Sequence, residues 1–236
     1  MADLDLVQAT NASGSAGDED VVLSYSSNVT AGSTLIAIVF SDDAMFGTVS
    51  VSDDVNAGNW TDGGGVDGTG TTNRAVNCFY FANAAAGATQ VTSTTTNNGT
   101  ATPSLHIFEV EGDLAPVDPE GTGNITNSSA PSNVASTTTT ASSFRVVGSR
   151  ASSIPSAQTV TGFTANGSHD ANRNAAFYLE NDTTTGARDV SLSGGTSGTD
   201  WSVVHVAFEV SGAPADTSLP PINLLANPKM RNLLNR

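Results

Sequence analysis

Cations are scarce in this 236-residue chain: eight Lys and Arg stand against 23 Asp and Glu, for a formal charge of −15. Binding nucleic acid by neutralising phosphates needs a basic patch, so that class of partner is excluded. Like charge opposes non-specific association and suits a protein kept soluble at high copy number. There is one cysteine, Cys78 in "AVNCFYF". It excludes an internal disulfide and reads as a small buried apolar residue. No stretch reaches the roughly 20 apolar residues that a transmembrane helix needs. "MADLDLVQAT" opens the chain with two acids and no basic segment, so no secretory leader is expected. The eight Asn-x-Ser/Thr sequons (Asn11, Asn28, Asn59, Asn98, Asn124, Asn127, Asn166, Asn181) then read as by-products of composition.

Charged residues make up 13% of the chain and hydrophobic residues 38%. The second figure permits a packed core and excludes wholesale disorder. Thr, Ser, Asn and Gly take the place of charge and favour strands and turns over helices. No sustained 3.6-residue apolar period occurs before Ile222. Strands are expected near Val21–Tyr25, Thr34–Phe40, Thr48–Ser52, Val76–Phe81, Gln90–Thr95 and Leu105–Val110. A second set is expected near Ser143–Gly148, Thr159–Phe163, Ala175–Leu179, Asp189–Leu192 and Trp201–Val210. "TLIAIVF", "LHIFEV" and "VVHVAFEV" are apolar on both faces and read as central strands covered on each side.

The two sets are related. Phe79-Tyr80 matches Phe177-Tyr178, Gly87-Ala-x-x-Val91 matches Gly186-Ala-x-x-Val190, and Phe108-Glu-Val-x-Gly112 matches Phe208-Glu-Val-x-Gly212. The offset is 98 to 100 residues, with gaps in Gly/Thr-rich loops where length changes are tolerated. The expected fold is all-β: an antiparallel, jelly-roll-like β-sandwich over 1–212, built from two homologous halves of about 20–112 and 134–212 with a linker over 113–133. The alternative is two tandem small β-sandwich domains. One composite unit is favoured because the second half is poor in large apolar residues.

"AGSTLIAIV", "VSVSDDVNAGNWT", "FYFANAAAGATQVTST" and "FEVEG", followed by a Thr-run and a "GFT…W…AFEV" half, resemble β-sandwich modules of tailed-phage virion proteins and of large bacterial surface proteins. The resemblance covers about residues 20–212. It implies a structural or adhesive role and carries over no catalytic residues.

Candidate chemistry is sparse. His106 and Glu109 are three apart on a strand and face opposite ways, whereas His205 and Glu209 are four apart and share a face. The pairs cannot form equivalent sites and read as polar strand-end residues. His169 lies in "NGSHDANRN", read as a loop. The loop "DDVNAGNWTDGGGVDGTG" carries Asp53, Asp54, Asp62 and Asp67. Such loops can supply oxygen ligands to calcium, yet the spacing is not that of an EF-hand or a nonapeptide repeat, and a solvated rim loop is the simpler reading. Trp60 in the same loop is the candidate for stacking on a sugar, and Trp201 reads as core. No nucleophile-elbow, zincin or phosphate-loop motif occurs, and nothing singles out a glycosidase carboxylate pair. A cofactor is not expected, nor is enzyme activity.

The chain's cations return at its end. Lys229, Arg231 and Arg236 stand among Ile222, Leu224, Leu225, Met230, Leu233 and Leu234, with no acid after Asp216. Asn227 can cap a short helix with Pro228 at its first position. So short a helix is marginal alone in water and needs a surface to lie against. Residues 213–236 are therefore read as a docking arm carrying those nine residues. A membrane anchor is the poorer reading, since three cations and a short apolar face bind lipid weakly. The expected function is that of a virion structural protein, a capsid decoration or head/tail appendage protein, acting by assembly. Its expected partners are capsid or tail subunits and further copies of itself, in the host cytoplasm and then the virion. A carbohydrate-binding adhesin module that recognises host glycan is the competing reading.

Overall fold

A strand that is apolar on both faces needs a cover on both sides, and this requirement sets the layering. The computed structural model describes residues 4–41, 49–66, 75–95, 102–117, 121–125, 128, 130–132, 135–153, 156–169 and 173–211. These form β-strands and connecting turns, with no helix among the described residues. The first half contributes β1 (Leu6–Ser13), β2 (Asp20–Ser24), β3 (Thr34–Ser41), β4 (Ser50–Asp53), β5 (Thr61–Val66), β6 (Ala75–Phe81), β7 (Gln90–Thr94) and β8 (Ser104–Val110). Then come β9 (Leu114–Pro116), β10 (Gly121–Ile125), β11 (Ser136–Thr139), β12 (Ser143–Ala151) and β13 (Thr159–Val160). The chain closes with β14 (Thr164–His169), β15 (Asn174–Asp182), β16 (Gly186–Asp189), β17 (Leu192–Ser193) and β18 (Trp201–Val210).

All pairings are antiparallel, and the expected all-β sandwich is what the chain forms. One large sheet has the order β1-β8-β3-β6-β5, and β2-β7-β4 covers its outer face. The other has the order β10-β18-β12-β15-β14, with β9 also on β18. Its outer face is covered by the pairs β11-β16 and β13-β17.

Alternation along the strands distributes the apolar residues into three cores. Leu35, Ala37 and Val39 point to the β2-β7-β4 cover and meet Val21, Leu23, Val51, Trp60 and Val91. Ile36, Ile38 and Phe40 point the other way, with Val76, Cys78 and Phe108, to meet Phe144, Val146, Val204, Val206 and Phe208 of the second large sheet. Val147, Phe177, Trp201 and Val203 pack under Ala135, Val160, Val190 and Leu192 on the far side. The two large sheets thus stack face to face, each with its own outer cover. Each buried Val, Leu, Ile or Phe contributes roughly 1.5–3 kcal/mol, so the shared central core binds the halves strongly. The second half has an outer core of its own, though a small one.

Strand order runs in parallel in the two halves: β10, β18, β12, β15 and β14 take in one sheet the places that β1, β8, β3, β6 and β5 take in the other. Their edges meet reciprocally, β1 against β14 and β5 against β10. The matches are not all in register. Ile36 faces Phe108 as Phe144 faces Phe208, but Tyr80 lies opposite Ile36 while Tyr178 lies opposite Val146. The shared Phe-Tyr pair has slipped by two residues, the smallest shift that keeps each side chain on its face.

Several strands fall where loops were expected. Thr61–Val66 is β5, a glycine-rich edge with a bulge between Asp62 and Gly65. His169 ends β14 rather than lying in a loop. Residues 113–133 include β9 and β10, which pair with β18, and β1 precedes residue 20 as the edge strand on β8.

Candidate functional site

The nine residues of the expected docking arm, Ile222 to Arg236, lie outside the described residues. The other candidates are placed. Trp60 is buried in the first outer core, and its indole N–H donates to Asp53 Oδ2 at 2.9 Å. It therefore presents no face for a sugar, which removes the residue on which the glycan reading rested. Asp53 also accepts the backbone N–H groups of Val55 and Asn56 at 2.9 and 2.6 Å. Asp54 accepts from the Thr89 hydroxyl at 2.6 Å and from the Thr89 N–H, bonds that lower its pKa against slight desolvation. Asp62 accepts from the Gly64 N–H at 2.9 Å. Asp53 and Asp62 hold local turns, as Asx-type acceptors do, and Asp54 ties the segment to the start of β7. Among the described residues no three or more His, Cys, Asp or Glu converge to hold a metal ion. Asp67 lies outside them.

The acids of the repeated Phe-Glu-Val segment have a common task. Glu109 accepts the Thr30 N–H at 2.7 Å, and Glu209 accepts the Thr140 N–H at 2.7 Å. In each half the carboxylate at the end of the last strand caps the Thr-Ala turn that leads into the central strand. Glu109 is fully buried and takes two more donors, the Ser33 hydroxyl at 3.0 Å and the Gln8 amide at 2.5 Å. Glu209 is half-exposed and adds the Ala141 N–H at 2.9 Å and the Thr140 hydroxyl. Buried polar atoms need partners, and three donors on one carboxylate meet that need without a cation.

The histidines separate as strand geometry requires. His106 points into the core between the large sheets, and His205 points into the second outer core. Burial, with Arg145 nearby, pushes His205 down to about 3, so it is neutral at ordinary pH.

Sequence reasoning missed a buried ionic cluster. Arg145 on β12 is fully buried, with Nε 2.6 Å from Asp182 Oδ2 and Nη2 donating to Thr139 Oγ1 at 2.9 Å. Arg188 Nη1 reaches Asp182 Oδ1 at 3.3 Å, and its guanidinium lies 5.5 Å from the Phe163 ring centre. Asp182 is held below the usual carboxylate range: burial opposes this, but the Thr184 bonds and the two arginines outweigh it. The signal was parity. Arg145 sits between Phe144 and Val146 in a covered strand, so it must point into the other core. Arg145, Arg188 and the Thr184 N–H together saturate the Asp182 carboxylate.

Compared with protein-family models, with curated proteins and with solved structures, the chain matches none.

Proposed function

We propose that the protein is a virion structural protein, a capsid decoration or head/tail appendage protein, which works by assembly and without a cofactor. The observation that carries the proposal is the shared turn cap. Glu109 and Glu209, the acids that recur with the repeat, both hold backbone N–H groups of a turn. Acids engaged in this way serve shape rather than chemistry. A stack of covered sheets with an acidic exterior is suited to a rigid body displayed in many copies.

The halves are inferred to descend from one duplicated unit. Supporting this are the parallel strand orders and the common cap. The jelly-roll-like reading draws its support from the first half, where the large sheet contains the order β1-β8-β3-β6 and its cover is β2-β7-β4. Paired sheets of this kind serve both viral capsids and lectins. Residues 213–236 are assigned as the arm that docks on a capsid or tail subunit, through Ile222, Leu224, Leu225, Met230, Leu233 and Leu234 and the cations Lys229, Arg231 and Arg236. The test is to add the purified protein, full-length and truncated after Ser211, to particles that lack it. Saturable binding at fixed stoichiometry, lost on truncation, is the expected result. Absence of binding together with a hit on a glycan array would overturn the proposal in favour of an adhesin.

A further inference from the structure

At one end of the central core the two large sheets meet through polar side chains. Asn11 on β1 donates from Nδ2 to the Asn166 carbonyl on β14, and Asn166 Nδ2 donates back to the Thr10 carbonyl at 3.3 Å. Asn174 on β15 donates to Ser104 Oγ on β8 at 2.8 Å. Inside this rim His106 of β8 and His169 of β14 stand ring to ring, with centroids 5.3 Å apart. The other side of His106 rests on Phe40, 5.5 Å away. His106 is fully buried, and His169 has a buried Nε2 with no partner among the described residues. One histidine comes from each half, so the pair spans the seam between them.

We propose that the His106–His169 pair is an acid-sensitive latch, which holds the two halves together while both rings are neutral and lets the seam between the two large sheets part when they are protonated. Two imidazolium ions cannot share this contact. His169 is already half-exposed, but His106 is fully buried, and its nearest route to water is parting of the seam rather than unfolding of either outer core. Burial first, and the neighbouring His169 second, push His106 down to about 3, against a smaller opposing pull from the Asn166 carbonyl; burial also lowers His169. Both rings regain ordinary basicity in the open seam. Protons therefore favour the open state as pH falls below 6.5, by close to tenfold per pH unit for His106 alone.

Among the described residues no carboxylate raises the basicity of either ring. β1 presents Asn11 and β3 presents Ile38 and Phe40 to this position. From β12 the inner face presents Arg150, which is buried with a partner of its own at the same end as Asn174 and Ser202. On β15 the titratable groups of the inner face, Tyr178 and Glu180, lie at the far end from Asn174, and β6 presents Tyr80 there also. Glu109, on His106's own strand, points to the opposite face and is held by Gln8, Thr30 and Ser33.

The chain carries its own reporters. Cys78, the single cysteine, lies in the central core, while the two tryptophans report on the outer ones, Trp60 in the first half and Trp201 in the second. The experiment follows labelling of Cys78 by dithiodipyridine, which reacts with thiols in acid, between pH 7 and pH 5, scaled to a free cysteine in the same buffer. Tryptophan emission is recorded alongside. The expected result is a labelling rate that rises roughly tenfold or more per pH unit below 6.5 while emission stays native. His169→Gln should flatten that rise, and His205→Leu, which lies outside the seam, should leave it in place. A pH-independent rate in the wild-type protein overturns the latch. So does a rise that appears only together with a change in tryptophan emission, or one that His169→Gln leaves intact.

Discussion

The two halves share a strand plan and fill it differently. Between the first large sheet and its cover, Ala37 and Leu105 contribute to an apolar core closed by Trp60. The same ladder positions in the second half hold Arg145 and His205, since Ala37 faces Ile107 as Arg145 faces Ala207, and Val39 faces Leu105 as Val147 faces His205. The outer cover differs to match. β7 runs unbroken and joins β2 and β4 into one sheet, whereas its counterpart splits into β16 and β17, each with a single partner. A buried ion pair is commonly no better than apolar residues of the same volume, yet removing one member is strongly destabilising. The plan thus tolerates either filling, but the second half is committed to its cluster and should be the weaker of the two.

The largest effect should come from making the second half copy the first in the central core. Phe40 and Gly148 occupy matching positions, opposite Ser104 and Val204. A Cβ on Gly148 would stand 2.6 Å from Ile38 Cγ2 and from Val76 Cγ2. Gly148→Phe should therefore cost more than about 3 kcal/mol and part the large sheets, because overpacking by even a few methylenes costs 1–3 kcal/mol. Urea unfolding followed by tryptophan emission checks this; a fully stable variant would show that the central core is not close-packed there.

Next comes the ionic cluster. Arg145→Ala leaves a cavity and strips Asp182 of its closest partner, with the Thr184 N–H at 3.1 Å and Arg188 at 3.3 Å still beside it. The expected loss is about 3 kcal/mol, at the lower end for a broken buried pair because one arginine stays. It should appear first at Trp201 and only later at Trp60, which a pair of single-tryptophan proteins can separate. Simultaneous loss at both would mean that the halves unfold as one unit.

Acid should weaken both halves through their histidines. His106 and His205 are each pushed down to about 3 from an ordinary 6.5. The unfolded chain then binds protons that the folded one refuses. Stability is full above pH 6.5, falls with pH below it, and stops falling on this account near pH 3. By pH 5 each histidine should cost about 2 kcal/mol. His205→Leu, which copies Leu105, should remove roughly half of that loss, measured as the change in urea midpoint between pH 7 and pH 5. An unchanged slope would mean that His205 is hydrated in the folded protein.

The covered strands could be read in advance because they need nothing from the rest of the chain to declare themselves: Thr34–Phe40, Leu105–Val110 and Trp201–Val210 are apolar on both faces. The edges could not. β5 is glycine-rich and β14 reads "TANGSH", and both are strands only because β6 and β15 supply the ladder. Asn11, Asn166 and Asn181 sit in sequons, yet their side chains bond across the seam, to Asn166, Thr10, Leu4 and Asp5. Trp60 looked like a loop residue because its neighbours are polar. Its burial depends on Asp53, seven residues earlier, taking its N–H. Long-range partners of this kind leave no local periodicity.

The smallest difference is the sharpest test of the shared cap. Glu109 and Glu209 hold corresponding turns, so Gln in either place keeps size and shape while replacing an acceptor oxygen by an N–H₂ donor. At Glu109 the three bonded groups all donate: the Thr30 N–H and the Gln8 amide N–H, which cannot accept, and the Ser33 hydroxyl, which can accept only by turning its own proton elsewhere. The new amide must face one of them with no water at hand, so Glu109→Gln should cost about 1–2 kcal/mol, the penalty of a buried unsatisfied donor. At Glu209 the surroundings are half-exposed and the displaced donors can turn to solvent, so Glu209→Gln should cost about 0.5 kcal/mol. Thermal unfolding of the two single variants side by side measures the gap. Equal costs would mean that the turn bonds alone matter and burial does not. A larger cost at Glu209 would mean that the half-exposed cap carries more than the turn, and the equivalence drawn between the two acids would fail.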